Sequence, residues 1–229
     1  MPKTASYSHI PTVLLTVVLV LWLVSASFFL LLLPPVTHYW ATQTVDAADS
    51  TLSSTQLVNN ADLGRAYVAG SKTAQLPTGS DERTSYPPDV VSHLDSVRSL
   101  FVTIKYLAAA STLVILLALL WVWRRRRARQ LGNAALAAAI FTVVFCLVCA
   151  VLAWQNFDAF FTWVHSLFFA AGTWEFSYDS LLICTYPLQF WMFMGITWAV
   201  ILVLLCLILI IIGSGLRRTA PRRPKKSER

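Results

Sequence analysis

Four stretches of this chain are long and apolar enough to cross a lipid bilayer, and that constrains its fold more than any other feature. A spanning helix needs about 20 mostly apolar residues, because the hydrocarbon core is about 30 Å thick. The first stretch runs from Thr12 to about Leu33 and stops at Pro34-Pro35. The second runs from about Phe101 to Trp123 and stops at Arg124, and the third from Asn133 to about Trp154. The fourth runs from about Phe190 to Ile212 and ends at Gly213-Ser214-Gly215. Composition agrees: 57% of residues are apolar and 13% charged, where a soluble domain is nearer about half and about a quarter. The expected fold is an all-α membrane protein, a single polytopic domain over residues 1–229. Its four transmembrane helices are joined by an extracytoplasmic loop and by a re-entrant or interfacial aromatic helix. The first stretch resembles a signal peptide at Val24-Ser25-Ala26-Ser27, but Phe28 to Leu33 continue the apolar run beyond it. A signal's apolar region ends before its small-residue site, so we expect a retained helix.

The net charge of +7 does not point to nucleic acid, because the basic residues cluster beside the apolar segments. Arg124 to Arg127 and Arg129 join the second and third spans. Arg217, Arg218, Arg222, Arg223, Lys225, Lys226 and Arg229 follow the fourth. With Lys3 these make 13 of 18 basic residues on one side of a four-span arrangement. Residues 37–100 and 155–189, on the other side, carry ten of the eleven acidic residues. The positive-inside rule then places both termini and the 216–229 tail in the cytoplasm and the two longer segments outside. The basic tail reads as a topology anchor with affinity for anionic membrane lipids. No internal repeat is evident, and Lys105 sits near a span end where it can snorkel. The spans thus lack the deep charges of pumps, channels and proton-coupled transporters.

Cys146 and Cys149 form a CxxC within the third span, with no charged neighbour, and read as apolar filler. No cysteine lies in residues 37–100, so that loop is not stapled by disulfides. It is too long for a plain connector, and loops of that length are functional or disordered. From Asp89 onward a helix is expected to run into the second span, with Val90, Leu94, Val97 and Phe101 at helical spacing. His93 would sit about two turns above the membrane.

The second outer segment is dense in aromatics from Phe157 to Leu182. On a helix, Phe157, Phe160, Phe161, Val164, Leu167 and Phe168 share a broad apolar face, and Asp158, Thr162 and His165 a narrow polar stripe. Such a helix can lie in the interface or re-enter the bilayer. Trp174, Phe176, Tyr178 and Asp179 follow, and an interfacial aromatic belt accounts for most of these rings. Of the four histidines, His9 is incidental and His38 interfacial, while His93 and His165 are the outer-face candidates for chemistry. Two histidines without an outward cysteine or an HExxH make an incomplete zinc ligand set, so no metal is expected.

These residues resemble the bacterial lipoprotein intramolecular transacylase family. The resemblance is carried by His93-Leu94-Asp95-Ser96-Val97-Arg98, by Phe157-Asp158-Ala159-Phe160-Phe161, and by His165-Ser166-Leu167-Phe168-Phe169. It continues through Trp174-Glu175-Phe176, Asp179-Ser180-Leu181-Leu182-Ile183 and Pro187-Leu188-Gln189-Phe190-Trp191. Val164 stands where the family prefers an aromatic, and Asp95 and Ser96 are exchanged relative to the family's order. The resemblance implies an acyltransferase of the bacterial cell envelope, working at the outer face of the cytoplasmic membrane without a cofactor. Its partner would be a diacylglyceryl-modified lipoprotein, whose sn-2 acyl chain moves to its own free α-amine to give a lyso-form lipoprotein. The amine is the nucleophile, so no serine or cysteine nucleophile is required. His165 is the implied catalytic base and acid, and His93 would orient it, share its proton or polarise the carbonyl. Arg98, Asp158, Trp174, Tyr178 and Asp179 are the implied substrate-binding residues, with Arg98, Tyr178, Trp174 and backbone amides open as oxyanion donors.

Two other readings stand beside this one. A serine hydrolase could use Ser92, Ser96 or Ser166, but the chain has no GxSxG elbow. A non-enzymatic membrane scaffold or sensor would use the long outer loop as its binding surface.

Overall fold

Pro34-Pro35 ends one helix and begins another. In the computed structural model, which describes residues 10–125 and 127–219, α1 (Ile10–Leu31) gives way to α2 (Pro34–Thr44), with the prolines at its first positions. The first turn of a helix is where proline's missing N–H costs nothing and its fixed φ helps. The helices α3 (Ser54–Val68), α4 (Pro88–Arg125), α5 (Ala128–Gln155), α6 (Phe157–Ser166), α7 (Leu181–Thr185) and α8 (Leu188–Thr219) follow. The described residues contain no β-strand, only an isolated bridge between Thr78 and Tyr86. Lys3, His9, Arg126 and the basic residues from Arg222 onward lie outside the described residues.

Four helices, α1, α4, α5 and α8, are long and apolar enough to cross a membrane. Leu113, Leu116, Leu117 and Leu120 on α4 are exposed, as are Ile140, Phe141, Leu147 and Val151 on α5 and Ile196, Leu204, Ile208 and Ile211 on α8. Continuous apolar surface on this scale requires lipid around it, and the chain is a multi-pass membrane protein. The α5–α8 pair is the most extensive contact, and α1 packs on α4, α5 and α8. Small residues permit the close approach: Ala134, Ala135, Ala138 and Ala139 are all buried. A Cβ on Gly132 would fall 2.6 Å from the Gly213 carbonyl oxygen. Since lipid tails are as apolar as the helices, such contact and hydrogen bonds between helices supply the association. The indole of Trp22 donates to Thr112 Oγ1 at 3.0 Å and that of Trp198 to Ser27 Oγ at 2.8 Å. Cys146 and Cys206 are free thiols that pack with Leu23, Ala139 and Leu202.

At 38 residues, α4 is about 57 Å long at about 1.5 Å per residue, nearly twice the hydrocarbon thickness. Its first turns, up to about Phe101, therefore stand clear of the membrane and belong to a folded cap. The cap comprises α2, α3, the 69–87 segment and α7. Ser53 caps α3 reciprocally with Gln56, each side chain satisfying the other's backbone N–H. Leu57 and Val68 of α3, Tyr86, Val90 and Leu94 of α4, and Leu181, Leu182 and Cys184 form the cap's own core. Val97 and Phe101 pack against it. Asn60 donates to Tyr86 Oη at 2.6 Å and to Thr185 Oγ1 at 2.8 Å inside this core. Backbone bonds from Leu181 N to Glu82 O (2.7 Å) and from Asp46 N to Cys184 O (2.9 Å) tie its segments together.

The α5–α8 contact yields a test. Gly132→Leu drives a side chain into the Gly213 backbone and lowers stability in detergent by about 1–3 kcal/mol, the range for overpacking. Gly195→Leu, on α8 where an added Cβ meets nothing within 4 Å, leaves the melting temperature close to native. Equal melting of the two variants would contradict this packing.

Candidate active site

The helix α6 follows α5 after a single extended residue, Asn156, whose side chain accepts from Ala159 N at 3.0 Å and caps the new helix. Asp158 in its first turn complements the positive end of the helix dipole. Ten residues make a helix of about 15 Å, too short to cross a bilayer. Its half-buried side carries Phe157, Phe160, Phe161, Val164 and His165, while Asp158 and Thr162 are exposed. The polar stripe expected from the sequence therefore divides, with His165 turned inward alongside Phe161. Leu167 and Phe168, just past the helix end, are exposed rather than part of the packed side.

His165 is walled by rings. Its imidazole centroid lies 3.9 Å from that of Phe161, 4.9 Å from Trp174 and 5.6 Å from Phe169. Phe161 continues the wall to Trp191, centroids 6.1 Å apart, and Trp191 to Tyr186 at 6.0 Å. His165 Nδ1 lies 2.9 Å from the Phe161 carbonyl oxygen. A carbonyl only accepts, so Nδ1 carries the proton and the lone pair of the neutral ring is on Nε2.

His93, on the part of α4 that belongs to the cap, contacts the same group of rings. Its ring is 4.9 Å from Phe169, edge to face, and 5.7 Å from Phe176. Phe169 thus touches both histidines. His93 Nδ1 is buried with no hydrogen-bond partner, and so is Trp174 Nε1. Desolvation lowers the pKa of His93 to about 4, with the nearby His165 adding to the effect. Desolvation also lowers the pKa of His165, and its bond to the Phe161 carbonyl partly offsets the shift. Both shifts favour the neutral imidazole.

Of the other site residues expected from the sequence, Trp174 lies in this cluster. Asp158 is exposed at the start of α6. Tyr178 is 89% exposed, and Asp179 pairs with Arg83 at 3.1 Å. Arg98 stacks over the Tyr67 ring at 4.8 Å, and the Tyr67 hydroxyl donates to Asp95 Oδ1. The phase of α4 explains this: at about 100° per residue, Asp95 lies about 200° and Arg98 about 140° around the helix from His93. Phe169, which touches both histidines, and Phe176, which touches His93, were not singled out as site residues by sequence reasoning. Both stand in motifs adjoining the candidate residues. His38, read as interfacial, pairs with Asp62 at 2.8 Å between α2 and α3.

A four-span helical membrane protein, with a folded cap over a neutral, aromatic-walled histidine pair, is the class that this fold and site define. Residues 13–191 match the family model described as lipoprotein intramolecular transacylase Lit. The chain therefore belongs to the lipoprotein intramolecular transacylase family, acyltransferases that act on lipoproteins. Its fold is that of the membrane-integral transacylase Lit from Bacillus cereus, at 14% identity and a TM-score of 0.75 over 90% of this chain and 94% of that one. A histidine-to-arginine variant of that protein aligns at 17% identity and a TM-score of 0.63, covering 90% of this chain and 92% of the other. A histidine-to-alanine variant aligns at 14% and 0.69 with the same coverage. No curated protein matches the sequence.

The desolvated site has a pH signature. A lowered histidine pKa means that the folded state binds fewer protons than the unfolded chain, so stability falls as pH drops from about 6.5 toward about 4. In NMR of protein with labelled imidazoles, His93 keeps neutral-ring shifts near about pH 5.5, where an ordinary histidine with a pKa of about 6.5 is mostly protonated. A protonated His93 at that pH would contradict its burial.

Proposed function

We propose that this protein moves the sn-2 acyl chain of a diacylglyceryl-modified lipoprotein onto the α-amine of the same lipoprotein's N-terminal cysteine. The observation that carries the proposal is the pair of desolvated imidazoles that share contact with Phe169, one holding its ring proton on Nδ1 and so its lone pair on Nε2. It lies at the junction of cap and spans, where an acyl chain in lipid and a peptide outside it can both reach. Arg124, Arg127, Arg129, Arg217 and Arg218 lie at the other end of the spans, which supports cytoplasmic termini and an outward-facing cap.

The reaction forms a bond between the cysteine nitrogen and the acyl carbonyl carbon and breaks the bond from that carbon to the glycerol oxygen. One proton leaves the amine and one reaches the glycerol oxygen. A free α-amine has a pKa of about 8, and an apolar site favours its neutral, attacking form. As the amine attacks, His165 Nε2 takes its proton and returns it to the departing oxygen. An imidazole that binds a proton weakly also gives it up readily, which suits this shuttle. His93, across Phe169, orients the reacting groups and shares the proton. The rings of Phe161, Phe169 and Phe176 hold the two ends of one substrate together. Such positioning is worth on the order of 7–11 kcal/mol in the best intramolecular reactions.

Expression in a bacterium whose lipoproteins keep a free diacylglyceryl-cysteine amine tests the proposal. Mass spectrometry of one lipoprotein's N-terminal peptide is expected to find an acyl chain on the amine and a single acyl chain on the glycerol. His165→Ala, present in the membrane at native level, lowers that product by about 10²–10⁴-fold, the usual contribution of a general base. An unchanged diacylglyceryl peptide with the native protein would overturn the proposal.

A further inference from the structure

The tryptophans show what this fold does with an indole N–H. Trp22 donates to Thr112 at 3.0 Å, Trp40 to Thr197 at 2.9 Å and Trp198 to Ser27 at 2.8 Å. Each satisfies its N–H across a helix contact, as buried indoles usually do. Trp174 does not: its Nε1 is buried and has no acceptor. An unsatisfied buried donor in a native structure needs an explanation. Five buried side-chain polar atoms lack a partner among the described residues, and two of them, Trp174 Nε1 and His93 Nδ1, belong to the histidine cluster.

We propose that the Trp174 indole N–H is the donor that holds the carbonyl oxygen of the migrating acyl group and stabilises its negative charge. This rests on the transacylase reading above. An indole N–H only donates and does not titrate, so it suits an oxygen that gains charge and not the amine that must lose a proton. The Trp174 ring lies 4.9 Å from His165 at an interplanar angle of 39°, so donor and base belong to one cluster. The segment carrying Trp174 is anchored downstream by Phe176 against His93, by the Asp179–Arg83 pair and by the Leu181 N bond to Glu82 O. The donor is therefore set before substrate arrives, which is what makes such a group effective. Arg98 and Tyr178, the other side chains open for this role, are engaged with Tyr67 and exposed, respectively. When the amine nitrogen attacks, the carbonyl π pair moves to oxygen, where the N–H of Trp174 receives it. The pair then returns as the glycerol oxygen leaves with the proton from His165.

The test removes one hydrogen-bond donor and leaves the ring. Benzothienylalanine, placed at position 174 through a reassigned codon, replaces the indole N–H by sulfur at nearly constant shape. Transfer to the amine of a synthetic diacylglyceryl peptide is measured in detergent, with native protein and His165→Ala in parallel. The analogue is expected to lower kcat by about 10²–10³-fold with KM nearly unchanged, the loss typical of one oxyanion donor. A ring-fluorinated tryptophan at 174, with a more acidic N–H, folds natively and raises kcat. Native kcat in the benzothienyl protein, or a loss confined to KM, would overturn the assignment, as would indifference to fluorination. If His165→Ala is inactive in that same assay, the transacylase reading stands and only the role of Trp174 falls.

Discussion

An imidazole kept out of water stays neutral, and the architecture around His93 and His165 is arranged to keep two of them so. Neither ring could be held this way by one helix, since a helix face in lipid or in water leaves a side chain half open. Phe161 covers His165 from its own helix, Trp174 covers it from the following loop, and Phe169 closes the gap to His93. Phe176 then covers His93 from the same loop. Burial weakens each histidine as a base, but a weaker base releases its proton more readily to a departing alkoxide. In the proposed reaction the same apolar walls would favour the neutral form of the attacking amine.

The rest of the fold sets those walls in place. The α4 helix spans the membrane and continues about four turns into the cap, so one rigid element fixes His93 relative to the bilayer. The cap core around Leu57, Tyr86, Leu94 and Leu181 fixes the rotation of α4, and with it the direction in which His93 points. The Asn60 bonds to Tyr86 and Thr185 tie α3 to the start of α4 and to the short helix before α8. At the other end, the near contact of Gly132 with Gly213 draws α5 onto α8. The position of α5 places α6, because only Asn156 intervenes.

Much of this is legible in the residues. Four apolar runs define the bundle, and the spacing of Val90, Leu94, Val97 and Phe101 marks the face of α4 that enters the cap core. Ser53 and Gln56 carry the spacing of a capping box, and Pro34-Pro35 suits a helix start as well as a stop. The 37–100 loop could therefore have been expected to hold helices. Asp95 and Arg98 are near His93 in sequence, yet helical phase turns both away from it toward Tyr67. The family resemblance offered Arg98 as a site residue, and a helical wheel places it about 140° around α4 from His93. Trp174 entered through the family resemblance, whereas the roles of Phe169 and Phe176 were not legible in this way. They lie in an irregular segment with no period to project, and only tertiary packing brings them against the histidines.

The central claim is that His93 and His165 act as one unit across Phe169. A double-mutant cycle tests it most directly, with rates of acyl transfer measured for His93→Ala, His165→Ala and the pair against the uncatalysed migration. Groups that act as one unit are grossly non-additive. The account predicts that the double variant is about as slow as the slower single variant. Losses that multiply would mean two independent contributions, and a native rate in either single variant would remove that histidine from the chemistry.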